Sequence, residues 1–371
     1  MFKQLYNYQY FIIFLILSSC TSPQAQKEIS SLPSKEYLKQ ESVRCSFMDS
    51  KGMLWFGTNY GELYQYDGTN LIVNNISNIA CSPSINKITE DNYGNLWFAN
   101  TEGLCKFDGK TYEQVDIPWD GNEDLWGPDM NANNVLSIAI DDNQNIWFGT
   151  WGNGAHYFNP NNKDQHGKYN FTSLLQEQGS TYEGGAYRNV IQTIFKDNKG
   201  AMWLTSLSHG GINKYEGGNI TNYHTKEGLK DDMVFSGIQD RDGTYWFGML
   251  GNRPSGLIHF NSNQFTNYTI KDGLPNNNVT SVFQDHTGRI WLGSGRGELN
   301  TFHPENTDKN GNPIFEIFKD QDGNSFKNIT FVNEDQNHNI WFGGQYGQLY
   351  MFDGKTVKQL NGTPISEIKM Y

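Results

Sequence analysis

Between residues 43 and 360 apolar and polar residues alternate in short runs, as in Val279-Thr-Ser-Val-Phe-Gln and Phe265-Thr-Asn-Tyr. A period of two sends successive side chains to opposite faces of an extended chain, so these runs predict strands with one buried face. The breaks between them are rich in Asp, Asn and Gly, the residues that tight turns require.

The runs recur as a larger unit. An Asp stands six residues before a Trp seven times: Asp49/Trp55, Asp91/Trp97, Asp141/Trp147, Asp197/Trp203, Asp240/Trp246, Asp285/Trp291 and Asp335/Trp341. Twelve residues before each Trp is a β-branched aliphatic (Val43, Ile85, Val135, Ile191, Val234, Val279, Ile329), which opens a strand A. Gly follows three residues after the Asp in five units, as a type I turn favours, with Gln144 and His338 in the other two. Strand B carries the Trp, strand C follows a short loop, and a weaker strand D closes most units. The Trp spacings run from 42 to 56 residues. The pattern predicts an all-β fold, a seven-bladed β-propeller of four-stranded antiparallel blades over residues 42–371. The recurrent Trp, flanked by apolar residues in mid-strand, is expected to pack between blades.

Composition narrows the function. The net charge is −12 and no run of Lys or Arg occurs, so nucleic acid is not an expected partner. Residues 1–19 hold Lys3, an apolar run from Tyr10 to Leu17, and then Ser18-Ser19 before Cys20. That run is too short to span a bilayer and reads as a signal peptide. Small residues before Cys resemble the lipobox of bacterial lipoproteins, which implies lipidation of Cys20 and a membrane anchor. Residues 20–41, polar and with two Pro, form the expected tether. The address is therefore exported, periplasmic or at the outer membrane and cell surface. Cys45, Cys81 and Cys105 permit at most one internal disulfide and read as packing residues.

The units Asp49–Gly68, Asp91–Gly109 and Asp285–Phe302, with Trp-Phe-Gly-Thr and Gly-x-Leu-Tyr phrases, resemble the two-component-regulator propeller repeat. The link Lys271-Asp-Gly-Leu-Pro-Asn-Asn-Asn-Val is similar to that family's connection between blades. The resemblance covers about residues 40–360. It implies kinship with periplasmic sensor propellers that recognise extracellular glycans. No kinase or receiver motif accompanies the repeats, so only a binding role carries over, and the repeat itself assigns no ligand contact.

Strand A begins and strand B ends on one rim, so the B–C loops and D–A links share a face. In those loops the repeats stop agreeing: Asn59 and Tyr60, Asn100 and Glu102, Trp151 and Asn153, Ser208 and His209, Arg253, Arg296, and Gln345 with Tyr346. Divergence at equivalent positions is what a binding rim would show. The candidate ligand-binding residues are Tyr60, Glu102, Trp151, His209, Arg253, Arg296 and Tyr346. Trp119 and Trp126 join them from a long link, residues 113–133, and a second long link spans 172–189. Arg forks a carboxylate and exposed Trp stacks on a sugar face. The ordinary alternative is a set of solvated, variable loops.

The turn Asp residues do not make a cation cage, because no unit offers the converging oxygens calcium needs. The eight His fall one to a site. No metal and no cofactor is expected. Virginiamycin-type lyases share the seven-bladed plan but need a paired acid and base with a metal at the axis, and only His209 lies on the favoured rim. A binder of a glycan or other small molecule is the leading reading. A scaffold for an envelope protein partner is the main alternative, and a lyase or hydrolase the lesser one.

Overall fold

The computed structural model describes residues 42–59, 62–75, 81, 84–118, 134–175, 190–207, 210–224, 229, 233–250, 256–344 and 348–360. They form seven four-stranded antiparallel sheets, each strand pairing with the next in sequence. In blade 1, strand A is Val43–Met48, B is Leu54–Thr58, C is Glu62–Tyr66 and D is Leu71–Asn75. The other blades occupy residues 85–115, 135–174, 191–223, 234–268, 281–317 and 329–359. The A strands lie side by side around the axis, Ile329–Glu334 beside Val43–Met48. The predicted β-branched residue opens strand A in six blades; in blade 6 pairing begins at Ser281, two residues after the buried Val279.

The Asp–Trp spacing has a chemical reason beyond the turn. In every blade the Trp Nε1–H donates to Oδ2 of the Asp six residues earlier, at 2.8–2.9 Å. In blade 4 the other oxygen of Asp197, Oδ1, accepts the backbone N–H groups of Lys199 and Ala201, bracing the turn. Gly52 at φ 80° fills the left-handed position that closes this turn, whereas Gln144 and His338 adopt it at 63° and 66°. All seven Trp residues are buried, and each packs into the following blade; Trp203, for example, meets Phe247 and Phe260. The Gly of Trp-Phe-Gly allows that approach: a Cβ on Gly149 would stand 2.6 Å from Ile191 Cγ2 and 2.7 Å from its carbonyl oxygen.

The turns also connect neighbouring blades. The residue after the turn Asp donates its N–H to a Glu or Gln side chain of the next blade: Ser50 to Glu90, Asn92 to Gln144, Asn198 to Gln239, Arg241 to Gln284 and His286 to Glu334. An ion pair, Lys196 with Asp142, serves blades 3 and 4. Between blades 7 and 1 the Gln336 side chain lies over Gly52.

The C-terminal tail and the segment near Tyr37 lie outside the described residues. Blades 1 and 7 each hold four strands from their own contiguous stretch, and the seam is packed by Trp341 against Phe56 and Tyr66. Two expectations change. Cys81 and Cys105 are not simple packing residues but a disulfide, with Cα atoms 5.7 Å apart, tying the link after blade 1 to strand C of blade 2. Cys45 alone is free among the described residues; burial pushes its thiol up to about 11 despite the nearby charges of Lys87 and Arg44, so it is inert as a nucleophile. The long links are also shorter than read, because residues 113–115 and 172–174 belong to D strands.

Candidate ligand-binding channel

An extra residue near the start of strand A shapes the axis. In six blades the A–B register slips by one residue: Val43 pairs with Thr58 but Cys45 with Gly57, and the same happens at Ile85, Val135, Ile191, Val234 and Ile329. A β-bulge leaves the extra residue unpaired and re-aims its side chain. The bulged residues are Arg44, Asn86, Leu136, Gln192, Phe235 and Thr330, with Thr280 at the equivalent place in blade 6, and all seven line one axial cavity. The cavity measures about 420 Å³ and takes lining from all seven A strands. It also takes in Asn59, Leu250, Gly295 and Gly344 at or just beyond the ends of the B strands, so it lies toward the B–C loop face.

This chamber has two unlike walls. Across blades 1 to 3, Arg44 Nη1 donates to Asn86 Oδ1 at 3.0 Å, and Asn86 Nδ2 donates to Asn134 Oδ1 and to the Val135 carbonyl, both at 2.8 Å. Lys87 adds a second positive charge there, and no Asp, Glu or His stands among the described lining residues. Across blades 3 to 5 the lining sets the apolar Leu136, Ile138, Ile194 and Phe235 among Ser137, Gln192, Thr193 and Ser236, and Leu136 and Phe235 pack on a buried cluster with Trp151, Val190 and Leu207. Gln192 Oε1 and Ser236 Oγ, both of lining residues, are buried with no hydrogen-bond partner among the described residues.

The rim read from sequence divides. Trp151 is buried, 5% exposed, in a cluster with Leu136, Val190 and Leu207, which corrects its placement as an exposed stacking residue: a large aromatic beside three aliphatics is more stable packed than solvated. Asn59, Asn100 and Asn153 are buried and hold loop backbone: Asn59 Oδ1 accepts Ser42 N–H at 2.8 Å, Asn100 Oδ1 accepts Glu102 N–H at 2.8 Å, and Asn153 Nδ2 donates to the Pro118 carbonyl at 2.7 Å. Glu102 and Arg296 are exposed on that face. Glu298 is paired with Lys327 Nζ at 3.3 Å. Tyr60, Trp119, Trp126, His209, Arg253, Tyr346 and Cys20 lie outside the described residues. The bulge ring was missed because alternation alone does not reveal an extra residue. Its signal is a position that varies (Arg44, Asn86, Leu136, Gln192, Phe235, Thr280, Thr330) directly after one that stays β-branched.

The His residues are not all isolated. His286 and His338, on the Asp-turn face of blades 6 and 7, stack with ring centroids 3.9 Å apart.

Three segments, residues 37–60, 129–152 and 273–296, match the two component regulator propeller family, so the chain carries that repeat. No curated protein matches the chain. Among solved structures it is similar to the extracellular domain of the putative hybrid two component system BT4673 from B. thetaiotaomicron, at 19% identity and TM-score 0.59, covering 88% of this chain and 38% of that one. It is similar to virginiamycin B lyase from Staphylococcus aureus with quinupristin, at 15% identity and TM-score 0.61, covering 84% of this chain and 94% of that one. It is also similar to PorZ, a surface component of the type-IX secretion system of Porphyromonas gingivalis, at 16% identity and TM-score 0.53, covering 86% and 47%. The chain thus spans well under half of the BT4673 domain. Identities this low establish a shared fold.

Proposed function

We propose that this chain is an exported, lipid-anchored propeller that binds an extracellular ligand in the axial chamber, entered from the B–C and D–A loop face. The repeat match and the likeness to an extracellular sensor domain support the exported, sensor-like part of this reading. The Ser18-Ser19-Cys20 sequence supports the anchor. The observation that carries it is the ring of seven non-repeating residues, six of them aimed inward by bulges, around a cavity of about 420 Å³, a volume suited to a small ligand. Arg44 and Lys87 on one side favour a ligand with an acid group. The apolar side chains opposite favour one with a nonpolar face, as an acidic sugar has. Arg296, and Arg253 by its position in the sequence, extend the same preference outward.

The test is a glycan array probed with the purified full chain, followed by calorimetric titration of each hit into the chain and into Lys87→Ala. Acidic glycans are expected to be retained over their neutral counterparts, with affinity falling about tenfold in the variant, the scale of one charge-assisted contact. Retention of neutral and acidic sugars alike, or an unchanged affinity in the variant, overturns the acid-group preference. An array with no hit, and stoichiometric recovery of one envelope protein with the chain, replaces the binder by a scaffold.

A further inference from the structure

On the face opposite the proposed ligand entrance, we infer that His286, Glu334 and His338 form a binding site for a late first-row divalent cation, with Zn2+ as its representative. Nδ1 of His338 lies 2.8 Å from Glu334 Oε1, and Nδ1 of His286 contacts the same oxygen. One donor atom from each of the three residues lies within 4.8 Å of the other two. Two imidazole nitrogens and a carboxylate oxygen suit zinc, copper or nickel, whereas calcium and magnesium want oxygen donors throughout.

The fold explains why the three donors are held together. Glu334 is the last residue of strand A in blade 7, and its Oε2 accepts the His286 N–H at 2.8 Å, the contact that joins neighbouring blades elsewhere in the ring. That contact fixes the carboxylate and leaves Oε1 to the imidazoles. Gln239 and Gln284 make the same contact in blades 5 and 6. The blade contact therefore needs an amide or carboxylate oxygen but no charge.

His338 supplies the second argument. It occupies the left-handed turn position at φ 66°, where five blades have Gly and a side chain is strained. The other exception, Gln144, uses its side chain to receive the N–H of Asn92 from the previous blade. His338 joins no such contact; its ring goes to Glu334 and stacks on His286. With His286 and His338 44% and 60% exposed in their side chains, a cation has open access and keeps coordination positions for water or a further ligand.

The test is calorimetric titration of Zn2+ into the full chain, purified without a polyhistidine tag and stripped with chelator. One zinc per chain is expected, with no comparable binding of Ca2+ or Mg2+. His286→Ala with His338→Ala should weaken that site at least a hundredfold, since loss of mere outer-shell partners already costs 10–100-fold as a rough rule. Glu334→Gln keeps the contact that Gln239 and Gln284 show to be sufficient, so the ring stays closed, yet removes the anionic ligand; its zinc affinity should fall at least about tenfold. Zinc bound equally by the parent chain and the double variant, or no zinc bound by the parent, overturns the assignment.

Discussion

The indole Nε1–H of Trp203 donates to Asp197 Oδ2 at 2.8 Å, and the Tyr245 hydroxyl of the next blade donates to the same oxygen at 2.8 Å. One carboxylate thus braces its own turn, holds its own Trp and reaches across a blade boundary. Burial would raise the Asp197 carboxyl, but the donors of Trp203, Tyr245, Ala201 and Lys199 together hold it below the ordinary 3.8. A carboxylate depressed in the folded state contributes stability that is complete above its ordinary value and lost as pH falls through the folded one. Tyr245→Phe should therefore cost roughly 1.5–3 kcal/mol near pH 7, the range for a hydrogen bond to a charged group. The gap to the parent should narrow below about pH 4. Urea titrations at pH 7 and pH 3 measure it, and a constant gap would falsify the linkage.

Trp151→Ala should destabilise as Trp203→Ala does, by about 3–5 kcal/mol each, because both empty a buried aromatic site. A rim-exposed Trp151 would cost little. Denaturant midpoints of the two variants decide between these.

Gly149→Ala should cost roughly 1–3 kcal/mol, because its Cβ would meet the Ile191 carbonyl oxygen, which cannot swing aside. Ala99 stands at the corresponding place in blade 2, fully buried, so Ala99→Gly tests the reverse change. It should lose only the small packing and backbone terms. Similar losses in both variants would place the effect elsewhere than the blade contact.

Cys81→Ser should lower stability by about 2–4 kcal/mol, the usual contribution of a native disulfide. Adding reductant to the parent should bring its melting temperature down to that of the variant. A parent indifferent to reductant would show the bond absent in solution.

Cys20→Ala should move the protein out of the palmitate-labelled membrane fraction. Labelling that survives the substitution removes the anchor from the proposal.

The fold was legible because its signals are local and repeated. Asp and Trp six apart, with a β-branched residue twelve before the Trp, mark turn and strand in every unit. The indole-to-carboxylate bond was hidden because the turn alone already accounts for the Asp. Contacts between blades were less legible. Nothing in the chain around Cys81 or Cys105 distinguishes that pair from Cys45, and His286 and His338 stand 52 residues apart in the sequence. The axial chamber was hidden for a related reason. Variation in loops is easy to see, while Arg44 or Gln192 within a strand reads as an alternating residue until the bulge turns it to the axis.

The seam between the seventh and first blades has a mechanical meaning. Each of the other six boundaries is bridged by the backbone itself, so pulling two blades apart there must first straighten a connecting segment. At the seam the described residues meet through side chains that include Trp341 on Phe56 and Tyr66, Phe331 on Phe56, and Gln336 over the Gly52 backbone. Tension between residues 42 and 360 falls on that packing. The disc is a split washer, which yields at its cut before any blade unravels.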